Sequence, residues 1–199
     1  MKATIFITVL IVSSLFSLPS LAQISSCYLN FNKANNLKMK DADHLPAEAN
    51  HTRKLITDNG EVDITAADAY RILYYNRKNV AFVNLKVETS AAGNYETDKN
   101  NVLANLRFLN SHSANMETKE LIELSYNGFK IYGLSRNSTE SGSTLGTFVM
   151  FPGNNTIVYF YFNNIRPEYA NFKDLTDYKS QRNDFIGRYT SYLNTCKQK

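Results

Sequence analysis

Cys27 and Cys196 are the only cysteines of the 199-residue chain, and they lie near its opposite ends. If they form a disulfide, the fold must bring the two ends together, with Cα atoms within about 7 Å of each other. A closed loop of about 170 residues would be stabilised by about 5 kcal/mol in the chain-entropy model. The alternative is two free thiols, and the cellular compartment decides between them because disulfides persist in oxidising environments. A catalytic cysteine is less favoured, since no histidine lies near either residue in the sequence.

The N-terminal segment has the features of a secretory signal peptide. Lys2 gives a positive start, Ile5 to Leu18 is an apolar run, and Ser20-Leu21-Ala22 places small residues at the cleavage positions. We therefore predict that residues 1–22 are removed on export to a periplasmic or extracellular compartment, where Cys27 and Cys196 would pair. The alternative is a membrane anchor, but this run is shorter than the roughly 20 residues that span a bilayer.

A second processing site leaves another alternative open. The segment Ile24-Ser25-Ser26-Cys27 resembles a bacterial lipobox, in which Cys27 would receive a lipid instead of pairing with Cys196. The apolar run ends at Leu18, well before this segment, so we favour cleavage after Ala22 and a disulfide.

Charge argues against nucleic acid as a partner. The chain has 22 Lys and Arg against 18 Asp and Glu, a net charge of +4, and its basic residues occur only in short clusters. Nucleic-acid-binding proteins concentrate such residues on one face or helix. Thirteen Tyr and twelve Phe supply bulky apolar surface for a core. We expect one domain over residues 57–199, preceded by a polar N-terminal arm over residues 23–56.

The first half of this domain predicts a strand between two helices. Thr65-Ala66-Ala67-Asp68 resembles a capping box and predicts a helix that ends near Asn76. Apolar and polar residues alternate from Val80 to Glu88, which is typical of a half-buried strand. Thr97 can cap a second helix that ends near Leu109.

The second half predicts a series of antiparallel strands followed by a long helix. Asn127-Gly128 between alternating apolar residues is a strong hairpin signal, because both turn positions need positive φ. Residues 145–151 and 157–162 predict two strands that are covered on both faces. Residues 172–196 predict an amphipathic helix whose apolar stripe includes Cys196. The expected fold class is α+β, with a largely antiparallel sheet and flanking helices.

The order of these elements resembles the PsbP-like α/β/α sandwich family. The segments behind this resemblance are Asn127-Gly128-Phe129, Leu145 to Val149, Ile157 to Phe160 and the C-terminal helix, within residues 80–196. The resemblance implies a fold used mainly to bind other proteins, commonly without catalysis. It transfers no functional residue, because no site motif of the family is present.

Motifs of common catalytic and cofactor sites are absent from the sequence. The string Gly142-Ser143-Thr144-Leu145-Gly146 has Thr where a nucleophile elbow needs Ser, and no glycine-rich phosphate loop precedes a helix. We therefore expect no cofactor.

The best metal-ligating candidates are His44, Glu48 and His51, which would share one face of a helix. Pro46 restricts a helix to start near Leu45, which leaves His44 outside it. We therefore favour a solvated segment and expect no metal site.

Two further features have a functional and a structural interpretation. His112 follows the second predicted helix, and we interpret it as a loop histidine near a helix C-terminus.

Tyr132, Tyr159 and Tyr161 could form an aromatic platform for a glycan or a protein partner. We favour a buried sheet face beneath the C-terminal helix, where Tyr178 and Tyr189 would contact it.

The sequence predicts an exported, non-catalytic binding or accessory protein of the bacterial envelope, whose partner is another envelope protein or a glycan. The alternative function is a small exported hydrolase with a dispersed site built from residues such as Asp63, His112 and Glu123.

Overall fold

The computed structural model describes residues 24–31, 38–39, 43–45, 52–75, 81–113, 118–138, 143–164 and 171–197, so the predicted signal peptide at 1–22 lies outside the described residues. This part of the chain contains three helices and nine strands. The helices are α1 (Ser26–Leu29), α2 (Tyr95–His112) and α3 (Leu175–Lys197). The strands are β1 (Lys38–Met39), β2 (Asp43–His44), β3 (Thr52–Thr57), β4 (Gly60–Tyr75), β5 (Ala81–Ser90), β6 (Thr118–Tyr126), β7 (Phe129–Ser138), β8 (Ser143–Gly153) and β9 (Thr156–Asn164).

The strands form a sheet with the order β1-β4-β5-β9-β8-β7-β6, and β2 and β3 also pair with β4. All these pairings are antiparallel. The predicted α+β class, the largely antiparallel sheet and the long C-terminal helix are therefore confirmed.

Local turn chemistry connects the strands as the sequence predicts. Asn127 and Gly128 both have positive φ, 52° and 83°, in the two-residue loop between β6 and β7. Asn154 and Asn155, with φ of 52° and 56°, turn the chain from β8 into β9 in the same way. Because asparagine tolerates the left-handed conformation better than other residues with a side chain, both turns form at little cost.

The helix predicted from Thr65 to about Asn76 is wrong, since residues 65–75 lie within β4 and Asn76 is outside the described residues. The side chains of this part of β4 alternate between buried and more exposed positions on either side of a register shift between Ala66 and Asp68. The capping-box pattern is overridden because residues 66–75 pair with β5, and residues 70–71 and 74–75 also pair with β2 and β1. The second predicted helix is confirmed as α2, although it starts at Tyr95, with Asn94 rather than Thr97 at its N-cap.

Helices cover both faces of the sheet. Helix α3 and residues 24–31 pack against one face, where the largest buried side chains are aromatic. Helix α2 packs against the opposite face together with Leu55 of β3 and Ile64 of β4. The strands between these layers are buried on both faces, as the apolar runs of β8 and β9 predict.

A disulfide joins the two ends of the described chain on the α3 face. Cys27 in α1 and Cys196 in α3 are bonded, with their Cα atoms 5.8 Å apart. Nearby, the Tyr189 hydroxyl donates a hydrogen bond to the carbonyl oxygen of Tyr28 at 3.1 Å, and the Phe31 ring contacts the Tyr189 ring. Residues 24–31, part of the segment predicted as a polar arm, therefore belong to the main core.

Candidate functional site

A cleft of about 320 Å³ opens between α2 and the outer strand β6. We call it the α2–β6 cleft, and its volume lies at the lower end of the range of small-molecule sites. Most of its lining is apolar, and Leu121 on β6 keeps 45% of its surface exposed. The lining residues are Leu103, Leu106, Arg107, Leu121, Ile122, Glu123, Tyr132 and Gly133.

The cleft forms because β6 extends the sheet beyond the width that α2 covers. Leu106 is buried against the sheet, whereas Leu103 and Arg107 stand on the side of the helix that faces β6. Across the cleft, Leu121 pairs with Leu134 of β7 and Glu123 pairs with Tyr132. An apolar floor thus remains open along one side of the helix.

Charged groups stand at the rim of the cleft. The Glu123 carboxylate lies 3.0 Å from the Lys130 ammonium group, and the pair raises the pKa of Lys130. Lys119 and Arg136 are register partners, so two like charges face each other on neighbouring strands. Burial lowers the pKa of Arg136, whose guanidinium donates a hydrogen bond to Ser113 at 3.1 Å.

β6 is also an outer edge of the sheet. Within the part of the chain that the structure describes, β6 pairs only with β7, so its other edge has no strand partner. An exposed edge offers main-chain donors and acceptors to another chain. The cleft and the open edge lie on the same strand.

A second polar cluster is buried on the α2 face of the sheet, centred on Glu88 of β5, which is 1% exposed. Its carboxylate contacts the Arg53 guanidinium at 2.6 Å, the Tyr159 hydroxyl at 2.8 Å and the Lys86 ammonium group at 2.7 Å. The Arg53 guanidinium also lies over the Tyr159 ring, 4.3 Å from its centroid, and bonds to its hydroxyl. Arg53 comes from β3, so the cluster fastens the β3–β4 hairpin to β5 and β9.

The surroundings of Arg53 and Tyr159 in this cluster fix the charge state of both side chains. Burial lowers the pKa of Arg53, but Tyr159 and Glu88 outweigh this effect, and the net shift is upward. Burial and the negative charge of Glu88 raise the pKa of Tyr159 well above its usual value. The guanidinium therefore stays charged and the phenol stays neutral, which suits a structural tie between the strands.

Asp98 in the first turn of α2 lies close to this cluster and is 4% exposed. Burial raises its pKa, while a hydrogen bond with Ser90 and the charge of Arg53 act in the opposite direction.

Of the three metal-ligating candidates, the structure describes only His44. His44 lies in strand β2, and its Nε2 atom contacts the Asp68 carboxylate at 2.7 Å, while Glu48 and His51 lie outside the described residues. Within the described ranges no group of three or more His, Cys, Asp and Glu side chains could hold a metal ion.

The residues suggested for a dispersed hydrolase site lie on separate elements. Asp63 on β4 pairs in register with Lys54, and Glu123 on β6 forms its ion pair with Lys130. His112 ends α2, where its ring stacks on Phe108 with the centroids 4.0 Å apart. Of these three residues only Glu123 lines the cleft.

The aromatic face formed by Tyr132, Tyr159 and Tyr161 is covered by α2 and the β3–β4 hairpin. The prediction that α3 covers it is wrong, because Tyr178 and Tyr189 pack on the opposite face. Two helices reach the sheet from different sides, and the apolar pattern of each strand fits either of them. Tyr159 is buried and bonded to Glu88, so its ring is closed to a glycan.

The string that resembles a nucleophile elbow lies at the start of β8, and its first residue, Gly142, is outside the described part of the chain. Gly146 lies beneath the Tyr178 hydroxyl, in the packed interior of the sheet.

Sequence reasoning did not find the cleft. Its main components, Leu103 and Leu121, belong to elements separated by a predicted loop, and each has the pattern of an ordinary buried residue. Leu121 is exposed because β6 lies at the edge of the sheet, and no local sequence pattern predicts the place of a strand within a sheet.

Comparison with protein-family models gives no match for this chain, and comparison with curated proteins gives none either. None of the described helices is long and apolar enough to cross a membrane.

Proposed function

We propose that the chain is an exported, non-catalytic binding protein of the bacterial envelope, which holds an apolar group of a partner protein in the α2–β6 cleft. The observation behind this proposal is the cleft itself, with aliphatic walls and the exposed Leu121 beside an open strand edge. Exposed apolar surface next to an unpaired strand is typical of sites that bind other chains.

The chemistry of the lining favours binding over catalysis. The lining residues of the cleft include no His, Ser or Cys, so they offer no nucleophile and base in contact. Its acidic group, Glu123, is 3.0 Å from Lys130 and stands at the solvent-exposed rim. A hydrolase would need titratable groups that converge on one point of the cleft.

A protein partner fits the cleft better than a glycan. Sugars stack on exposed aromatic faces, whereas the aromatic residues of this sheet face are largely covered and Leu103 and Leu121 dominate the walls. Aliphatic walls match the leucine, isoleucine, valine or methionine side chains of a protein.

Export is supported by the predicted signal peptide and is consistent with the Cys27–Cys196 bond, because disulfides persist outside the cytosol. The resemblance to the PsbP-like family stays a prediction, and it favours the same class of function.

The test places a photo-crosslinking residue at Leu103 and recovers the bound protein from the envelope fraction. The purified partner is then titrated against Leu103→Arg, which sets a charge into the cleft wall, and against Ile56→Arg as a control. Ile56 is 50% exposed on β3 and does not line the cleft, so this control adds the same charge outside the proposed site.

We expect Leu103→Arg to weaken binding at least about tenfold, as for a central apolar contact of an interface, and Ile56→Arg to leave it unchanged. Equal binding by both variants, a cytoplasmic location, or substrate turnover that is lost on mutating Glu123 would each contradict the proposal.

A further inference from the structure

We propose that two copies of this chain pair through the free edge of β6, antiparallel and centred on Leu121, and form a two-fold symmetric dimer with one continuous sheet. This inference goes beyond the proposed function: the second copy takes the open edge of β6, and the apolar group of another partner would enter the trough that the two clefts share.

The β6–β7 hairpin determines which main-chain groups of β6 face the open edge. The two-residue loop at Asn127-Gly128 makes Tyr126 and Phe129 a hydrogen-bonded pair, and pairing then alternates along the hairpin. The N–H and C=O groups of Lys119, Leu121 and Glu123 therefore point away from β7, toward the open edge. A second strand must place its own outward-facing residues opposite these three.

The sequence of β6 is complementary to a second, antiparallel copy of the same strand. An antiparallel pairing centred on Leu121 places Leu121 opposite Leu121 of the partner subunit. It also places Lys119 opposite Glu123 of the partner subunit, and the two-fold axis repeats this opposite-charge pair on the other side. About six main-chain hydrogen bonds connect the two strands in this register.

Neighbouring registers lack this match. A two-fold axis at Ile122 would place Leu121 opposite Glu123 and Glu120 opposite Leu124 of the partner subunit, and Lys119 would then face Ser125 instead of a carboxylate. The register centred on Leu121 has one such contact of an apolar residue with a charge, between Glu120 and Ile122 of the partner subunit, on the other face of the sheet. An axis at Glu120 would place two identical carboxylates opposite each other, which is destabilising. The order Lys-Glu-Leu-Ile-Glu over 119–123 thus selects one register.

The surroundings of Lys119 favour an added carboxylate. Lys119 is exposed and faces Arg136 of its own chain, and none of the carboxylates in the described ranges forms an ion pair with it. A carboxylate from a second copy would offset this like-charge contact. The pair between Glu123 and Lys130 is exposed on both sides, so it resists such a rearrangement only weakly.

The side chains of Lys119, Leu121 and Glu123 lie on the face of the sheet that α2 covers. The clefts of the two copies would therefore meet across the axis and form one trough, with Leu121 of each copy on its floor and a helix α2 along each side. An apolar residue that is exposed in one chain becomes buried in the dimer.

Cysteine cross-linking on the full mature chain tests the register. In the proposed dimer the Cα atoms at position 121 are about 5.5 Å apart, within the range of a disulfide, so Leu121→Cys forms a covalent dimer on mild oxidation. Glu123→Cys is the matched control, because its symmetry mate lies about 14 Å away along the strands. Mass spectrometry confirms that the bond between Cys27 and Cys196 stays intact in both variants.

Charge reversal tests the recognition. We expect Lys119→Glu to raise the dimer dissociation constant at least about tenfold in sedimentation equilibrium, since two attractive pairs become repulsive. The double variant Lys119→Glu with Glu123→Lys restores the pairing with reversed signs and returns the constant to within about threefold of the original. A wild-type chain that stays monomeric up to millimolar concentration, or equal cross-linking at positions 121 and 123, would overturn the proposal.

Discussion

The ring of Phe148 in β8 lies directly over the backbone of Gly133, its register partner in β7. A Cβ atom at position 133 would fall within the ring of Phe148, which is fully buried against the Phe162 ring and the Arg182 guanidinium. The phenyl ring thus takes the place of the absent side chain. Gly133 also lines the α2–β6 cleft.

We expect Gly133→Ala to lower the free energy of unfolding by about 1–3 kcal/mol, because the ring must leave a closely packed site. Gly187→Ala is the matched control. Gly187 lies within helix α3, and a Cβ atom there would lie 3.6 Å from the Tyr126 ring, which is an ordinary van der Waals distance. That change should raise stability by up to about 1 kcal/mol through helix propensity. Urea denaturation of both variants provides the comparison, and an unchanged midpoint for Gly133→Ala would contradict the packing described.

Replacement of Glu88 by glutamine removes the one carboxylate that Arg53 and Lys86 share. We expect a loss of about 3–5 kcal/mol, because two buried or half-buried cations lose their counter-charge. The same change at Glu61, which forms an exposed pair with Lys54, should cost far less, because water and salt screen that pair. A similar loss of stability for the two variants, measured by denaturant unfolding, would show that the Glu88 cluster is no tighter than a surface pair.

Asp98→Asn should change how stability depends on pH. Burial raises the pKa of Asp98 above its ordinary 3.8, so the folded protein binds this proton more tightly than the unfolded chain does. Its contribution is therefore fully present below the ordinary pKa and is lost as the pH rises through the raised value. We expect the stability of Asp98→Asn relative to wild type to increase over this acid range and then to level off.

Denaturation series from pH 3 to pH 7 on both proteins test this expectation. A stability difference that does not change with pH would mean that Asp98 titrates alike in the folded and unfolded states.

Cys196→Ser should lower the melting temperature by up to about 20 °C, since the bond closes nearly the whole domain into one loop. Cys27→Ser and reduced wild type should melt at the same temperature as Cys196→Ser, and the double variant should show no further loss. Intact mass after alkylation without reductant checks the bond directly. Two freely alkylated cysteines, or a lipid on Cys27, would contradict it.

Local chemistry was enough to predict much of the fold. The Asn127-Gly128 turn and the stripe of α3 each depend on neighbouring residues, and each is found as predicted. The alternation predicted for β5 holds only from Val83 to Val87, since Phe82 and Glu88 are both buried. The same reasoning failed for β4, where a local capping pattern competed with pairing to β1, β2 and β5, which all lie outside the predicted helix. A local sequence pattern does not contain the free energy of strand pairing, because that energy depends on residues outside the segment.

The candidate site depended on contacts that sequence does not reveal. Arg53 and Glu88 are 35 residues apart, and Tyr159 is 106 residues from Arg53, so no spacing rule connects them. Glu88 was interpreted as the solvent-facing side of a half-buried strand, but the β3–β4 hairpin covers that side. Leu121 became a candidate only when the strand order placed β6 at an edge.

The bond between Cys27 and Cys196 also determines how the molecule responds to a pull on its ends. Tension applied outside the two cysteines passes from one sulfur to the other, and the 169-residue separation between them bears none of it. The sheet and its cleft keep their shape while the ends are stretched. After reduction the same tension would act on the strands, and a fully extended chain would lengthen by roughly 570 Å. A single covalent bond therefore makes the domain a short, inextensible link between whatever its two ends are attached to.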